Sequence, residues 1–178
     1  QPKPGKIAET FAPEIIAAQD NFHGSVVFTP DGNEAYWCVM SNGMNIKSSK
    51  RVNGVWTKPQ LLFPNADVPF ISPDGNKFFF MAQKIDQGIK TEIASVMDKT
   101  PTGWSDAYPL PEIIRSIPII HWQLSIDKKG NLYFGGKQNG SKTSGVYCAE
   151  FADGTYRAPK IIEEMKEFFI QQDSAWAA

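Results

Sequence analysis

A small group of side chains in this sequence is suited to holding a divalent metal ion. It contains both histidines of the chain, and each member lies near the start of a hydrophobic run that is typical of a β-strand: His23, Asp67, His121 and Asp173. Imidazole and carboxylate groups are common ligands of divalent metals. If the fold gathers these strand starts, they form a metal or catalytic site with His23 and His121 as the ligands. Alternatively, polar residues at strand starts bond to nearby loop amides, and no metal or other cofactor is needed.

Two tryptophans extend this group into a candidate binding surface. Trp122 follows His121 directly, and Trp176 lies three residues after Asp173. Aromatic rings beside polar groups provide a face on which a sugar or a protein side chain can pack. The candidate binding residues are therefore His23, Asp67, His121, Trp122, Asp173 and Trp176.

Several other classes of function lack a signal in the sequence. There is no Gly-x-Ser-x-Gly elbow, phosphate-binding loop, His-Glu-x-x-His or Cys-x-x-Cys motif. The formal net charge of −1 and the absence of a Lys/Arg cluster argue against nucleic-acid binding. No run of about 18 apolar residues predicts a membrane span. Cys38 and Cys148 have no metal-binding spacing and are expected to be buried as small apolar residues.

The elements that must position these residues are set by a repeated turn. Residues 29–33 read Thr-Pro-Asp-Gly-Asn, residues 72–76 read Ser-Pro-Asp-Gly-Asn, and residues 126–131 read Ile-Asp-Lys-Lys-Gly-Asn. Proline presets φ, aspartate bonds nearby amides, and glycine supplies φ > 0. The turn residues are Asp31, Gly32, Asp74, Gly75, Asp127 and Gly130. We expect the third turn to be one residue longer than the others, and counting back from the turns places His121 level with Val68.

The spacing of the turns and a second repeated pattern predict the architecture. Asp31 and Asp74 are 43 residues apart, and Asp74 and Asp127 are 53 apart, close to the period of propeller blades at roughly 40–50 residues. A glycine, an aromatic residue, a proline and aliphatic residues recur at 54–62 and 154–162, and more loosely at 103–110 and 10–16. We interpret this unit as an outer strand whose aromatic residue packs on the neighbouring sheet, because proline is tolerated mainly at sheet edges.

With one further strand in each repeat, the sequence predicts an all-β propeller of four-stranded antiparallel blades. The three complete blades span about 23–63, 67–110 and 120–162. Residues 7–16 are predicted to be an outer strand of a preceding blade, and residues 170–178 an inner strand of a following one. Residues 1–178 thus form one partial propeller of about three and a half blades, fewer than the roughly four needed for closure. Residues 161–169 have the apolar spacing of a short helix.

These repeats resemble the WD-like propeller repeats of the TolB type, whose blades carry a Ser-Pro-Asp-Gly turn before a hydrophobic strand. The resemblance extends from about residue 7 to the end of the chain. It implies a six-bladed parent propeller, commonly in exported bacterial proteins that serve as interaction platforms. It also implies two less common roles, as an accessory propeller of a hydrolase or as a polysaccharide lyase with metal-binding histidines.

The sequence therefore predicts a non-enzymatic, periplasmic or secreted propeller that binds a protein or glycan through its channel mouth or loops. A start at Gln1 is typical of a chain that has lost a signal peptide, and equally of one trimmed to a domain boundary. The alternatives are a metal-assisted enzyme that uses His23 and His121 and an accessory propeller of a hydrolase. Because an open array leaves its end blades uncovered, the expectation is either that the chain is part of a longer propeller or that self-association or another chain completes it.

Overall fold

The computed structural model describes residues 15, 24, 26–40, 43–86, 89–117, 119–137 and 144–165, with side chains for all of these except 85, 86, 89, 90 and 119–123. This part of the chain forms three antiparallel meander sheets and one separate hairpin. The first sheet contains β1 Val27–Phe28, β2 Glu34–Met40, β3 Met44–Val52, β4 Val55–Trp56 and β5 Gln60–Pro64. The second contains β6 Ala66–Ile71, β7 Lys77–Asp86, β8 Ile89–Thr100, β9 Gly103–Trp104 and β10 Tyr108–Pro109. The third contains β11 Ile119–Ile126, β12 Leu132–Gly136, β13 Gly145–Ala149 and β16 Lys160–Ile161, with β14 Phe151–Ala152 and β15 Thr155–Tyr156 as the hairpin.

The three sheets share one pairing order, which confirms the predicted four-stranded antiparallel meander. The first sheet pairs β1, β2, β3 and β5, the second pairs β6, β7, β8 and β10, and the third pairs β11, β12, β13 and β16. Between the third and fourth strand of each sheet, a short strand folds back as a hairpin: β4 on β3, β9 on β8, and β15 on β14.

The first two turns between inner and second strands are closed in the same way. In the second turn, Ser72 N–H donates to the Lys77 carbonyl at 2.9 Å, and Gly75 N–H donates to the Ser72 carbonyl at 2.8 Å. Asp74 Oδ1 accepts from Asn76 N–H at 3.0 Å and from the Ser72 hydroxyl. Gly75 has φ +74, which an L side chain rarely adopts. Thr29 to Glu34 form the same pattern around Asp31, and Gly32 has φ +68.

The third turn differs from its prediction, because it is one residue shorter than the others. Asp127 N–H donates to the Asn131 carbonyl at 3.1 Å, so three residues separate the closing pair, whereas four separate Ser72 from Lys77. Asp127 therefore occupies the place of Ser72. Its Oδ1 also accepts from Lys129 N–H at 2.8 Å and Asn131 N–H at 3.0 Å, so one side chain replaces both the hydroxyl and the carboxylate of the longer turns.

The predicted outer strand is in fact divided by its proline segment. The aromatic residue lies in the short hairpin strand and the aliphatic residues after the proline lie in the outer strand, as in β4 and β5. Residues 57–59, 105–107 and 157–159 between them belong to no strand. In the first and third sheets this segment ends in Pro59 or Pro159, which has no N–H to donate to the ladder, so the chain leaves the sheet there and returns to it at the edge. In the second sheet residues 105–107 contain no proline, and Pro109 lies within β10.

Two apolar cores hold the three sheets together. Tyr36 and Ile46 from the first sheet pack with Phe78, Phe80 and Met97 from the second. A second core joins the second and third sheets through residues such as Phe79, Val96, Leu124, Leu132 and Phe134. Each fully buried side chain of this size stabilises the fold by about 1.5–3 kcal/mol. Successive residues of β7 face opposite cores, because side chains alternate along a strand.

A short helix that the sequence did not reveal completes the second core. Helix α1, Glu112–Arg115, begins after Pro111 and places Ile114 fully inside the core. Four residues are too few for a helical period to be visible in the sequence. In the segment 161–169, where a helix was predicted, residues 163–165 form one 3₁₀ turn, and residues 166–169 lie outside the described residues.

The outward faces of the first and third sheets differ in burial. In the first sheet, Ala35, Trp37 and Val39 are buried, and Ile15 and Val26 pack against them. In the third sheet, Tyr133, Val146 and Cys148 alternate with the core residues and are half-buried. Residues 7–14 and 170–178, predicted as strands of the adjoining blades, lie outside the described residues.

Candidate functional site

The predicted binding group can be examined at one side chain, that of Asp67. It lies in β6, is buried, and accepts a hydrogen bond from Val68 N–H at 2.7 Å. His121 and Trp122 lie within β11, where the backbone alone is described. His23, Asp173 and Trp176 lie outside the described residues. The convergence of these six residues therefore stays a prediction.

The inner strands that carry Asp67 and His121 are both bulged near their starts. On β6, Asp67 pairs with Met81 and Phe70 pairs with Phe79. The chain therefore advances three residues on β6 while it advances two on β7, which is a bulge of one residue. On β11, Ile119 pairs with Gly136 and Leu124 pairs with Phe134, so the chain advances five residues on β11 and two on β12. His121 and Trp122 lie in this bulge. Bulges are over-represented next to functional sites.

The backbone at the first of these bulges is strained. Val68 has φ +52, an unusual value for a β-branched residue. Because the two bulges differ in length, the alignment of His121 with Val68 depends on the reference point. Counted back from Ser72 and Asp127, which close equivalent turns, Val68 corresponds to Gln123. Counted forward from Ala66 and Ile119, which pair with equivalent residues of the second strands, it corresponds to His121 as predicted.

The described residues around Asp67 do not form a metal centre. The Cys38 thiol lies 3.8 Å from the Ala66 carbonyl. Burial, reinforced by Asp67, raises the pKa of Cys38 to about 12, so the free thiol is protonated at neutral pH and is a poor nucleophile. Within the described part of the chain, no three His, Cys, Asp or Glu side chains lie close enough to share a metal ion.

A cleft that the sequence did not predict lies between the second and third sheets. It has a volume of about 600 Å³ and lies beside the turns 72–77 and 127–131, and we call it the turn-edge cleft. The start of β6 lies at the opposite edge of the sheet, about 16 Å away along the strand at roughly 3.3 Å per residue. Phe79, Val96 and Leu110 form the apolar base of the cleft.

Aromatic and basic side chains surround this base. Tyr108 and Phe151, which are 41% and 38% exposed, line the cleft together with the half-buried Tyr156. Lys128 and Lys129 line it from the third turn and are exposed. Neither lysine ammonium forms an ion pair with any residue that the structure describes.

One carboxylate organises the polar groups on the second sheet. Asp98 accepts from Lys77 Nζ at 2.6 Å through Oδ1 and from the Tyr108 hydroxyl at 2.8 Å through Oδ2. The Lys77 hydrogen bond, followed by that of Tyr108, lowers the pKa of Asp98 below its ordinary value. Asp98 is thus a fixed anion that holds Lys77 and Tyr108 beside the cleft.

Tyr156 carries a polar group that has no hydrogen-bond partner among the described residues. Its ring packs edge-on against Phe151, with ring centres 5.1 Å apart. Among the described residues, no hydrogen bond involves its hydroxyl. Burial raises the pKa of Tyr156, and the positive charge of Lys77 opposes that rise, so the hydroxyl is neutral and lies within the electrostatic range of Lys77. Since no buried side-chain oxygen of the described residues lacks a hydrogen-bond partner, this hydroxyl is open to solvent, where a ligand can reach it.

The equivalent position between the first and second sheets is closed by polar contacts. Trp104 Nε1–H donates to the Tyr36 hydroxyl at 2.9 Å, and that hydroxyl donates to Glu34. Lys99 forms an ion pair with Glu34 at 3.6 Å, and its ammonium lies 4.6 Å from the centre of the Trp104 ring. These contacts connect the two sheets and fill the space between them.

Four substitutions at matching positions explain why the second interface stays open. Counted from the turn, Glu34 corresponds to Lys77, and Tyr36 corresponds to Phe79; in the hairpin, Lys99 corresponds to Phe151, and Trp104 to Tyr156. At these four positions the second interface therefore has no acid that pairs with a base across the sheets, and a smaller ring replaces the indole. These four differences can be read from the sequence, but their effect on the interface depends on which positions face each other in the fold.

The turn aspartates beside the cleft have structural roles. Asp74 accepts from the Ser72 hydroxyl and from two groups of Asn76, and Asp127 accepts from Lys129, Asn131 and Tyr133. The Ser72 hydroxyl and then the Asn76 amide lower the pKa of Asp74. These carboxylates are ionised and largely occupied by their own turns.

Comparison with known proteins shows the fold. No protein-family profile and no curated protein matches the chain. Among solved structures, it is similar to TolB from Acinetobacter baumannii, with a TM-score of 0.55 and 17% identity over 78% of this chain and 32% of that one. It is also similar to a candidate 6-phosphogluconolactonase from Bacteroides uniformis, with a TM-score of 0.50 and 16% identity over 82% of this chain and 42% of that one.

Both of these structures are β-propellers, so the predicted fold class is confirmed, and the three sheets are blades. At these identities the similarity concerns the fold alone. The chain spans less than half the length of either structure, 32% and 42% respectively. In the described residues, no helix has both the length and the apolar character required to cross a membrane.

Proposed function

We propose that this chain is a non-enzymatic, exported β-propeller module that binds a protein or glycan partner in the turn-edge cleft. The observation that carries the proposal is the cleft itself, about 600 Å³ with an apolar base and polar and charged side chains around it. Sites for small molecules or partner side chains commonly have this size and composition. Export, to the periplasm or beyond, is supported by the resemblance to TolB-type repeats.

The position of the cleft on rigid elements supports a binding role. Its base is formed by strands β7 and β8, whose ladder is continuous from Lys77 to Asp86. Its sides are two hydrogen-bonded turns and the β14–β15 hairpin. A partner would meet a preformed surface and would lose little affinity to ordering it.

The test is a binding screen against immobilised peptides and glycans with a cleft variant and a matched control. The variant replaces Tyr108 and Tyr156 with serine, which removes two rings from the cleft, and its fold is checked by circular dichroism because Tyr156 also packs against the core. The control, Leu61→Ser, removes an exposed apolar side chain from β5 on the first sheet. Ligands that the wild type and the control bind, and the cleft variant does not, would support the proposal. Identical binding profiles for all three proteins would refute it.

A metal-assisted propeller enzyme is the second candidate function, favoured by the bulge that holds His121 in β11. Metal content after dialysis tests it. Stoichiometric Mn, Ca or Zn that disappears in His121→Ala would support the enzyme, and metal-free wild-type protein with a native spectrum would eliminate it. A third role, as an accessory propeller beside a hydrolase, is a special case of the proposed binding function in which the hydrolase is the partner.

Completion of the propeller by another chain is a separate proposal, supported by the half-buried outward face of the third sheet. Light scattering on the purified chain tests it. A dimer with one cooperative unfolding transition would mean that two arrays close each other. A stable monomer would contradict closure by a second copy.

A further inference from the structure

We propose that the turn-edge cleft binds a peptide segment in which an apolar side chain is followed by an aspartate or glutamate. This inference rests on the proposed binding function and specifies its partner as a protein. The apolar side chain packs on the base of the cleft, and the carboxylate is bound by Lys77, Tyr156 and the lysines of the third turn.

The apolar half of this inference follows from the lining of the cleft. Phe79, Val96, Leu110 and Ile126 are buried in the core and present their edges to the cleft. Above them, the exposed Tyr108 and Phe151 leave apolar ring surface in water. A partner side chain that covers these surfaces removes them from water, which is the main driving force for such contacts.

The acidic half follows from an excess of unoccupied donors. Lys77 Nζ has three N–H groups, and Asp98 accepts one of them at 2.6 Å. The Tyr156 hydroxyl forms no hydrogen bond with the described residues, and Lys128 and Lys129 contribute two further ammonium groups without ion pairs there. Ammonium groups donate only, so a ligand must supply acceptors, and a carboxylate supplies the most per atom.

The carboxylates around the cleft each already accept between two and four hydrogen bonds. Asp98 binds Lys77 and Tyr108, Asp74 binds its own turn, and Asp127 accepts four hydrogen bonds from Lys129, Asn131 and Tyr133. A neutral glycan presents many hydroxyl donors and needs free acceptors to receive them. The balance of donors and acceptors thus favours an anionic group over a neutral sugar.

The closed interface between the first and second sheets shows how such a ligand would fit. There, Glu34 supplies a carboxylate to Lys99 and to the Tyr36 hydroxyl, and the Trp104 ring fills the apolar space. In the turn-edge cleft, no residue that the structure describes supplies such a carboxylate to Lys77 or Tyr156 from across the interface. The acidic residue of a partner would take the role of Glu34, and its apolar neighbour would take that of the indole.

The test compares capped tetrapeptides that differ at one position, Gly-Phe-Glu-Gly, Gly-Phe-Gln-Gly and Gly-Phe-Lys-Gly, with a neutral oligosaccharide as the other ligand class. Binding to the ¹⁵N-labelled chain is followed by amide chemical shifts. We expect the Glu peptide to shift cleft resonances and to bind about fivefold more tightly than the Gln peptide, the scale of one partly exposed ion pair. The preference should shrink as salt rises from about 0.05 M to about 0.5 M.

Two charge-matched variants locate the preference. Lys128→Gln with Lys129→Gln removes two charges from the cleft, and Lys58→Gln with Lys160→Gln removes two exposed charges elsewhere. The Glu preference should fall in the first variant and persist in the second. Since all four lysines are exposed, both variants should fold. Tyr156→Phe should weaken binding of the Glu peptide more than binding of the Gln peptide.

The outcomes separate this inference from the function on which it rests. If the Glu and Gln peptides bind the cleft equally, the acidic specificity is wrong and the binding site stands. If the oligosaccharide shifts cleft resonances and no peptide does, the partner is a glycan and the inference is overturned. If all ligands leave the cleft resonances unchanged, both the inference and the proposed site fail.

Discussion

The substitution Tyr36→Phe tests the polar contacts that close the interface between the first two sheets. The Tyr36 hydroxyl accepts from Trp104 Nε1–H at 2.9 Å and donates to Glu34, and the side chain is 2% exposed. The substitution removes one oxygen and leaves the ring, whose contact with Phe78 at 4.9 Å between centres is retained. Its effect therefore reports on hydrogen bonds rather than on packing.

The expected loss follows from what each partner retains. The indole N–H is left without its acceptor inside the interface, at a cost of about 1–3 kcal/mol. Glu34 loses one hydrogen-bond donor but keeps its ion pairs with Lys50 at 3.3 Å and Lys99 at 3.6 Å, so it contributes less to the loss of stability than the indole does. We expect a total decrease of about 2 kcal/mol in the free energy of unfolding. For a chain of 178 residues this lowers Tm by about 4–8 °C.

Urea unfolding followed by tryptophan fluorescence measures this change, and the denaturant slope should stay constant if the folded and unfolded states keep their compactness. The control is Tyr108→Phe, which removes a hydroxyl that donates to Asp98 at 2.8 Å from an exposed ring. It should cost below about 1 kcal/mol. If Tyr36→Phe changes stability by under about 0.5 kcal/mol, or by no more than the control, the interface does not depend on this chain of hydrogen bonds.

Three further outcomes are expected from other parts of the structure. Gly136→Ala should destabilise the chain by about 1–3 kcal/mol in urea unfolding, because the new Cβ would lie 2.8 Å from Ile117 Cγ2. An unchanged free energy of unfolding would show that the core rearranges around the added methyl group at no measurable cost. Asp74 has a pKa lowered chiefly by the Ser72 hydroxyl, so it stabilises the fold above the ordinary carboxyl pKa of about 3.9, and this contribution is lost as the pH falls through its lower folded-state value. Asp74→Asn should therefore flatten the acid limb of a stability-against-pH curve, and an unchanged limb would contradict this. In a Cys148→Ser background, which removes the half-buried second thiol, Cys38 should resist a thiol reagent at neutral pH until urea unfolds the chain, because burial raises its pKa to about 12. Rapid modification of this variant in its native state would contradict that burial.

The prediction of the architecture from sequence succeeded where the signal is local. The Pro-Asp-Gly turns close through hydrogen bonds among neighbouring residues, as Ser72, Asp74 and Asn76 show. Alternation of apolar residues then places Phe78 and Phe79 on opposite faces of β7. Because each turn fixes the register of its own strands, the repeated meander could be inferred without any long-range information.

Local reasoning failed where a residue changed its role. Asp127 was aligned with Asp31 and Asp74 by its type, but it occupies the position of Ser72 and closes a shorter turn. Helix α1 is four residues long, and its burial of Ile114 depends on the core between two sheets. The predicted metal and glycan residues were chosen from strand starts, and Asp67 alone among them has a described side chain.

The sequence by itself thus determined the turns, the order of the strands and the propeller repeat, because those features depend on backbone preferences within a few residues. The turn-edge cleft was decided by tertiary structure. Lys77 and Phe151 are ordinary residues in their own strands, and they form part of one cleft because the second and third sheets pack against each other. Two repeats with the same backbone therefore form one closed interface and one open one, since charge and ring size must be complementary across the sheets.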